Sequence, residues 1–141
     1  MRKTKANAVW NGTLKKGNGT FKLPLAGAEI NYTYASRFES GKESNPEELI
    51  GAALSGCFSQ ALSLEMEKAG YEPETINTEA EVTLAQADGG HKISDIHLKT
   101  RVKAGDIPED KFQELASGSK ENCPVSKALA GVNIHLDAEL V

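Results

Sequence analysis

The stretch NPEELIGAALSGCFSQALSL, residues 45–64, decides the fold of this chain. Asn45 can cap a helix with its side chain, and Pro46 suits the first helical position. Glu48 follows three residues after the cap, as a capping box requires. Gly70 is typical of the residue just beyond a helix C-terminus. The pattern therefore predicts a long helix from Pro46 to about Lys68.

Apolar or small residues occupy almost every side of this helix between Leu49 and Leu64. A helix that is apolar all round is a buried one. The small residues that would let other backbones approach closely are Gly51, Ala52, Ala53, Ser55, Gly56 and Ala61. A chain of 141 residues has little material to cover a helix on every side. We therefore expect a second subunit to complete the burial, which makes the protein a homodimer.

The N-terminal third of the chain is typical of β-structure. Residues 6–14 are a strand candidate, and the turn signal at residues 16–19 ends it. Residues 30–34 are rich in aromatic and β-branched side chains and form a second candidate. Pro24 and the glycines near it predict an irregular or edge segment.

The C-terminal half alternates between strand and helix signals. Residues 79–86 and 91–102 predict a hairpin around the turn at residues 88–90, with a bulge where the apolar phase shifts after Ile93. Pro108 opens a second helix that ends near residues 118–120, and a short third helix follows Cys123. Residues 132–140 alternate strictly between apolar and polar, which predicts a half-buried antiparallel strand. Helices and strands mixed without βαβ regularity indicate the α+β class.

Composition and charge restrict the class of protein. The length fits one domain, spanning residues 1–141, and hydrophobic (39%) and charged (26%) fractions are ordinary for a globular protein. The net charge of −4 argues against a nucleic-acid partner or an anionic membrane surface. The basic start precedes no apolar run, and no stretch approaches the roughly 20 apolar residues of a membrane span. We expect a soluble, cytoplasmic protein with no nucleic-acid or membrane partner.

Two cysteines are too few for a disulfide scaffold, and the default interpretation of each is a small buried hydrophobe. Cys57 lies inside the apolar helix, where burial raises the pKa of a thiol unless a cation reaches it. Cys123 precedes Pro124, so it is a natural helix N-cap whose sulfur faces free backbone N–H groups. That position favours a thiolate.

A reactive thiolate needs a cation that stabilises the negative charge on its sulfur. Arginine suits this role because its guanidinium stays charged, and a carboxylate can hold it by a bidentate pair. The chain offers Arg2, Arg37 and Arg101. Arg2 lies at the terminus and Arg101 on a strand face, whereas Arg37 lies close in sequence to the two glutamates, Glu47 and Glu48, at the start of the long helix. For Glu48 we prefer the capping role.

Four segments of the chain closely resemble the OsmC/Ohr family, in the family's order and spacing. They are Arg37-Phe38-Glu39, residues 45–53, Cys57-Phe58-Ser59 and residues 123–126. The arginine just before the helix is similar to the OsmC branch, since Ohr-like sequences place it nearer the N-terminus. Ser55-Gly56 before Cys57, and Gln60 after Ser59, depart from the family's usual pattern and bear on pocket shape. The family fold implied is an intertwined homodimer with antiparallel sheets around two long central helices.

The resemblance implies a hydroperoxide reductase. Carried over residue by residue, Cys57 attacks the peroxide, Cys123 resolves the sulfenic acid as a disulfide, Arg37 is the activating cation and Glu47 positions it. Apolar neighbours would favour an organic hydroperoxide over hydrogen peroxide; they are Phe38, Leu54 and Phe58. The reductant implied is a small dithiol or a lipoyl-bearing protein, and no cofactor is needed.

The spacing of Glu47 and Cys57 suggests how the site is shared. Ten residues on one helix span about 15 Å. An Arg37–Glu47 pair therefore cannot easily reach Cys57 of its own chain. We predict that the pair completes the active site of the partner subunit.

Two other classes of function stay open. One is a non-catalytic module that binds a hydrophobic small molecule, with both cysteines structural. The other is a metal site built from the three histidines, His91, His97 and His135, although no Cys-x-x-Cys or His-x-x-x-His spacing supports it and exposed strand histidines are the better interpretation. The sequence carries no flavin, haem or nucleotide motif.

Overall fold

The computed structural model describes all residues from Met1 to Val141. In chain order its elements are β1 (Asn7–Asn11), β2 (Asn18–Leu23), β3 (Ala28–Tyr32), α1 (Tyr34–Phe38), α2 (Pro46–Lys68), β4 (Pro73–Ala87), β5 (Gly90–Ala104), α3 (Glu109–Asn122), α4 (Pro124–Ala128) and β6 (Asn133–Leu140). This is the predicted α+β class. The backbone forms two compact units, Met1–Glu48 and Leu49–Val141, and α2 begins in the first and continues through the second. The expectation of one domain over residues 1–141 stays a prediction.

The first unit contains an antiparallel sheet in the order β1-β2-β3. Its sequence predicted two strands, and the middle strand, β2, was missed because Asn18 and Gly19 were interpreted as part of the turn. Gly19 lies instead under two aromatic rings. A Cβ atom there would come within 2.5 Å of Tyr32 and 2.6 Å of Trp10, so only glycine fits. The turn after β1 precedes residue 18, and residues 24–27 form the turn between β2 and β3.

The boundaries of α2 agree with the prediction. The Asn45 side chain accepts a hydrogen bond from the Glu48 backbone N–H at 2.8 Å, while the Glu48 carboxylate accepts one from the Ser44 hydroxyl at 2.5 Å. The C-terminus closes with Gly70 in the left-handed region (φ +89°) and with the Tyr71 N–H donating to the Met66 carbonyl. Local chemistry thus fixes both ends of the helix.

Burial of α2 within one chain is one-sided. Leu54, Phe58, Leu62 and Met66 recur every four residues and are fully buried in the core. On another side Ala52, Ala53, Gly56 and Leu64 are exposed, with Leu64 at 49%. The expectation of a helix buried all round is therefore not met within the single chain, and the homodimer stays a prediction.

By length and composition α2 would also suit a membrane span, contrary to the sequence expectation that no stretch comes near one. It has 23 residues, and an 18-residue window has a mean hydropathy of 1.2. Central helices of soluble proteins meet the same criterion, and a row of side chains of α2 packs into the protein core.

The second unit contains the predicted hairpin of β4 and β5. Asp88 and Gly89 both have positive φ angles, 45° and 80°, as a two-residue type I′ turn requires. The register shifts between Thr83 and Leu84, which pair with Asp95 and Ile93 and leave one extra residue on β5. The predicted bulge is confirmed.

The last strand, β6, runs parallel to β5, so the prediction of an antiparallel strand was wrong. The alternation of buried and exposed side chains along β6 is as predicted. Alternation reports which face of a strand is buried and is the same for either direction. The direction is set by the crossover through α3 and α4, which carries the chain from the C-terminal end of β5 back to the level of Asp95, where β6 begins. The second sheet, β4-β5-β6, is therefore mixed.

Candidate active site

The two cysteines meet in the second unit. Cys57 lies in the middle of α2 and is partly buried, while Cys123 links α3 to α4 and has no exposed surface. Both are free thiols, and they lie close enough for each to shift the pKa of the other. The contact joins two residues far apart in the sequence.

The kink between α3 and α4 places Cys123. Its backbone N–H donates to the Ser119 carbonyl at 3.0 Å and so closes α3, and its carbonyl accepts from the Lys127 N–H at 3.1 Å and so begins α4. Its φ and ψ of −58° and 129° are non-helical, as expected for a residue that precedes proline. The predicted N-cap position is confirmed.

The negative charge of the thiol pair is favoured on Cys123. Burial raises the pKa of Cys57, and so does the neighbouring Cys123 thiol. Burial also raises the pKa of Cys123, but the neighbouring groups of Cys57, Ser126 and Val125 outweigh burial and leave that pKa below its ordinary value. The Val125 backbone acts in the opposite sense and lowers the pKa of Cys57.

An open cleft of about 330 Å³ gives access to Cys57. Its walls include Ala61 and Leu64 of α2, and Asn122 and Pro124 at the junction of α3 and α4. A small molecule in this cleft would meet the Cys57 sulfur, whereas Cys123 does not line it.

Arg37 and Glu47 form an ion pair in the first unit. Arg37 Nε and Nη2 both donate to Glu47 Oε1, at 3.1 and 2.9 Å. The predicted pairing is present, although both bonds converge on one oxygen and the pair is not bidentate. The Glu47 side chain is 9% exposed and that of Arg37 36%, so the carboxylate is buried beneath a guanidinium that still reaches solvent.

Hydrogen bonds between α1 and the start of α2 hold this ion pair in place. The Asn45 side chain donates to the Ser36 carbonyl at 2.8 Å, and the Ser36 hydroxyl is 2.6 Å from the Ser44 carbonyl oxygen. Thr33 and Ser36 form a capping box at the start of α1. Sequence reasoning missed α1 itself, although Thr33 followed three residues later by Ser36 was a signal for it.

An aromatic depression of about 170 Å³ adjoins Arg37. Trp10, Tyr32 and Tyr34 line it with Leu14. Sequence reasoning did not single out these residues. The aromatic content of the strands was visible, but the grouping of the rings depends on the pairing of β1 with β2 and β2 with β3.

Comparison with known proteins supplies the family. A model of the OsmC-like protein family matches residues 39–137. Peroxiredoxin OsmC of Escherichia coli is 41% identical over 139 residues, which cover 96% of this chain and 95% of the relative. The chain belongs to the OsmC/Ohr family.

Solved structures agree with this assignment. The organic hydroperoxide resistance protein OhrB of Bacillus subtilis superposes with a TM-score of 0.71 at 26% identity, over 95% of this chain and 97% of that one. An OsmC-like protein from Vibrio cholerae has a TM-score of 0.76 at 16% identity, covering 98% and 99%, and shows the shared fold.

The apolar residues predicted to contact substrate lie in different surroundings. Leu54 and Phe58 are fully buried in the core of the second unit and do not line the cleft beside Cys57. Phe38 is partly buried and packs against Tyr34 and the Arg37 guanidinium, with ring-to-ring and cation-to-ring distances of 5.0 and 5.3 Å. Of these three residues, only Phe38 is partly exposed and contacts a predicted catalytic side chain, that of Arg37.

His97 and His135 pair with carboxylates on β5 and β6. His97 Nε2 lies 2.6 Å from Asp137, and His135 Nε2 lies 3.0 Å from Asp95. The second contact lowers the pKa of Asp95. No three or more His, Cys, Asp or Glu side chains are grouped as ligands for a metal ion.

Proposed function

We propose that this protein is a thiol-dependent peroxidase that reduces organic hydroperoxides to alcohols. The contact between the Cys57 and Cys123 thiols, with Cys57 open to a cleft and Cys123 behind it, carries the proposal. The names of the relatives, peroxiredoxin OsmC and organic hydroperoxide resistance protein, support it. Two cysteines in contact can be oxidised to a disulfide and reduced again without a cofactor.

The oxidative half-reaction uses both cysteines. The Cys57 thiolate attacks the terminal oxygen of ROOH, the O–O bond breaks, and the alkoxide takes a proton and leaves as the alcohol. Cys57 becomes a sulfenic acid. The Cys123 sulfur then attacks it, hydroxide leaves as water after taking a proton, and a Cys57–Cys123 disulfide remains. An external dithiol, either a small molecule or a lipoyl-bearing protein, returns the pair to the reduced state.

Arg37 and Glu47 complete this site from the partner subunit. In one chain the charge of the thiol pair is favoured on Cys123, so attack by Cys57 needs a cation that draws the charge to its own sulfur. Arg37 is held in a defined orientation by a buried carboxylate. Because Glu47 and Cys57 are ten positions apart on α2, about 15 Å along its axis, the pair acts in trans in an obligate, intertwined homodimer. The exposed small residues of α2 suit close packing of a second copy.

The substrate carries an organic group. The aromatic rings of Trp10, Tyr32 and Tyr34 beside Arg37 would receive an aryl or short alkyl chain. Phe38 packs against Tyr34 and the Arg37 guanidinium next to them. Leu54 and Phe58 shape the site from the core side of α2. The protein acts in the cytoplasm, with no nucleic-acid or membrane partner.

Oxidation of the reduced protein by one equivalent of cumene hydroperoxide tests this function. We expect loss of both free thiols and a mass decrease of about 2 Da, which marks an intramolecular disulfide. The Cys57→Ser variant should keep its remaining thiol under the same conditions. Hydrogen peroxide should react more slowly than the organic peroxide. Survival of both thiols in excess cumene hydroperoxide would instead favour the module that binds a hydrophobic molecule and keeps its cysteines structural.

A further inference from the structure

The helix that carries Arg37 is too short to fix its own orientation. α1 has five residues, Tyr34–Phe38, and Arg37 lies in its last turn. A helix of this length is unstable by itself, because forming the first turn costs more than its few hydrogen bonds return. The direction of the Arg37 guanidinium therefore depends on contacts between α1 and neighbouring segments.

The loop between α1 and α2, residues 39–45, supplies such contacts. The backbone N–H groups of Glu39 and Gly41 both donate to the Ala35 carbonyl at 3.0 Å. A Cβ atom on Gly41 would lie 2.6 Å from the Ser36 nitrogen, so glycine lets the loop come this close to α1. The last carbonyl groups of a helix have no partner inside the helix, and here the loop provides their donors.

Asn45, at the end of this loop, uses both halves of its side-chain amide. Its Oδ1 accepts from the Glu48 N–H at 2.8 Å, and its Nδ2 donates to the Ser36 carbonyl at 2.8 Å. A rotated amide would place a donor against the Glu48 N–H and an acceptor against the Ser36 carbonyl, so one orientation alone satisfies both partners. One side chain thus caps the start of α2 and bonds to a carbonyl of α1.

The bond from Asn45 to Ser36 joins the same two helices as the ion pair. Ser36 directly precedes Arg37, and Asn45 lies two residues before Glu47. The ion pair holds the end of the Arg37 side chain, through its Nε and Nη2 atoms. The Asn45 amide holds the backbone from which that side chain extends. Both ends of the arginine are therefore fixed to the start of α2.

Capping alone does not explain an asparagine at this position. Aspartate and serine cap helices about as well as asparagine does. Neither of them carries the amide N–H that reaches the Ser36 carbonyl. The half of the Asn45 side chain that capping leaves unused is the half that contacts α1.

We propose that Asn45 is a positioning residue for Arg37: its amide N–H fixes α1, and with it the guanidinium, against the start of α2. The consequence for catalysis rests on the proposed function, in which Arg37 activates Cys57 for reaction with a peroxide. Two substitutions separate the two halves of the amide. Asn45→Asp and Asn45→Ser both keep an oxygen that caps α2, and both remove the donor to Ser36.

Hydrogen exchange of the Arg37 Nε–H, followed by ¹⁵N NMR of the full-length chain, tests the positioning without any peroxide. The Arg37→Lys variant identifies the signal. We expect exchange about fivefold faster in Asn45→Asp and in Asn45→Ser than in the unmodified protein, the factor that corresponds to the net contribution of one neutral hydrogen bond. Unchanged exchange in both variants would overturn the proposal. Faster exchange in Asn45→Asp alone would also overturn it, because the added negative charge would then be the cause.

Rates of the two half-reactions show whether the loss is specific to Arg37. Oxidation by cumene hydroperoxide should slow about fivefold in both variants, whereas reduction of the Cys57–Cys123 disulfide by dithiothreitol should stay unchanged. Equal slowing of both half-reactions would indicate general damage to the fold and contradict the positioning role. If the unmodified protein does not react with the peroxide, the proposed function fails, while the exchange of Arg37 Nε–H still decides whether Asn45 fixes the guanidinium.

Ser44→Ala is the matched control. The Ser44 hydroxyl donates to the Glu48 carboxylate at 2.5 Å, so its removal weakens the start of α2 but leaves the bond between Asn45 and Ser36. We expect the exchange of Arg37 Nε–H and the oxidation rate to match those of the unmodified protein. A loss as large as that in Asn45→Ser would assign the effect to helix capping and refute the role of the amide.

Discussion

Replacing Glu47 with glutamine isolates the contribution of the buried carboxylate to peroxide reduction. Glutamine has nearly the same shape and keeps an oxygen acceptor, but it lacks the negative charge that holds Arg37 Nε and Nη2 at 3.1 and 2.9 Å. A hydrogen bond to a charged group contributes about 1.5–3 kcal/mol. Because the Arg37 side chain is 36% exposed, solvent screens the pair and the lower end of that range applies. A loss of about 1.4 kcal/mol corresponds to a tenfold lower rate.

The assay is the second-order rate of cumene hydroperoxide reduction by Glu47→Gln and by the unmodified protein. We expect kcat/KM to fall about tenfold while the melting temperature changes by only a few degrees. Glu48→Gln is the matched control, because its carboxylate accepts from Ser44 at the exposed helix start and makes no contact with Arg37. A Glu47→Gln rate within twofold of the unmodified protein would refute the positioning role. An equal loss in Glu48→Gln would do the same.

Three further predictions concern the dimer, the core and acid stability. Mixed dimers of Arg37→Ala and Cys57→Ser chains should regain about half the activity of the unmodified dimer through one intact site; no recovery would exclude sharing in trans. Leu62→Ala should lower the free energy of unfolding in urea by about 3 kcal/mol because it empties a fully buried site, whereas Leu25→Ala at a 71% exposed turn should change it little. The hydrogen bond from His135 lowers the pKa of Asp95, so the ionised Asp95 carboxylate stabilises the folded chain at neutral pH. That stabilisation is lost as the pH falls through the lowered pKa. The free energy of unfolding of Asp95→Asn should therefore fall less in acid than that of the unmodified chain.

Elements whose boundaries depend on neighbouring residues were predictable from sequence. The cap at Asn45 and the stop at Gly70 fixed α2, and Asp88-Gly89 fixed the hairpin turn, because each acts within a few residues of itself. The middle strand β2 was missed since Gly19 is unfavourable in a strand by itself. Its place there depends on Trp10 and Tyr32 from the flanking strands.

The features of the candidate site also divide into those that local sequence predicted and those that it did not. The raised pKa of Cys57 and the N-cap position of Cys123 follow from their local sequence, and so did the pairing of Arg37 with a glutamate just beyond it. The resemblance to a family, rather than any spacing, indicated that the two cysteines work together.

Only the tertiary structure decided the parallel direction of β6 and the contact of the two thiols. Each depends on segments distant in the chain that meet after the crossover through α3 and α4. The alternation along β6 is the same in either direction, so it does not reveal which way the strand runs. Sequence patterns specify what a segment can bury or cap, whereas packing of the whole chain selects the partner.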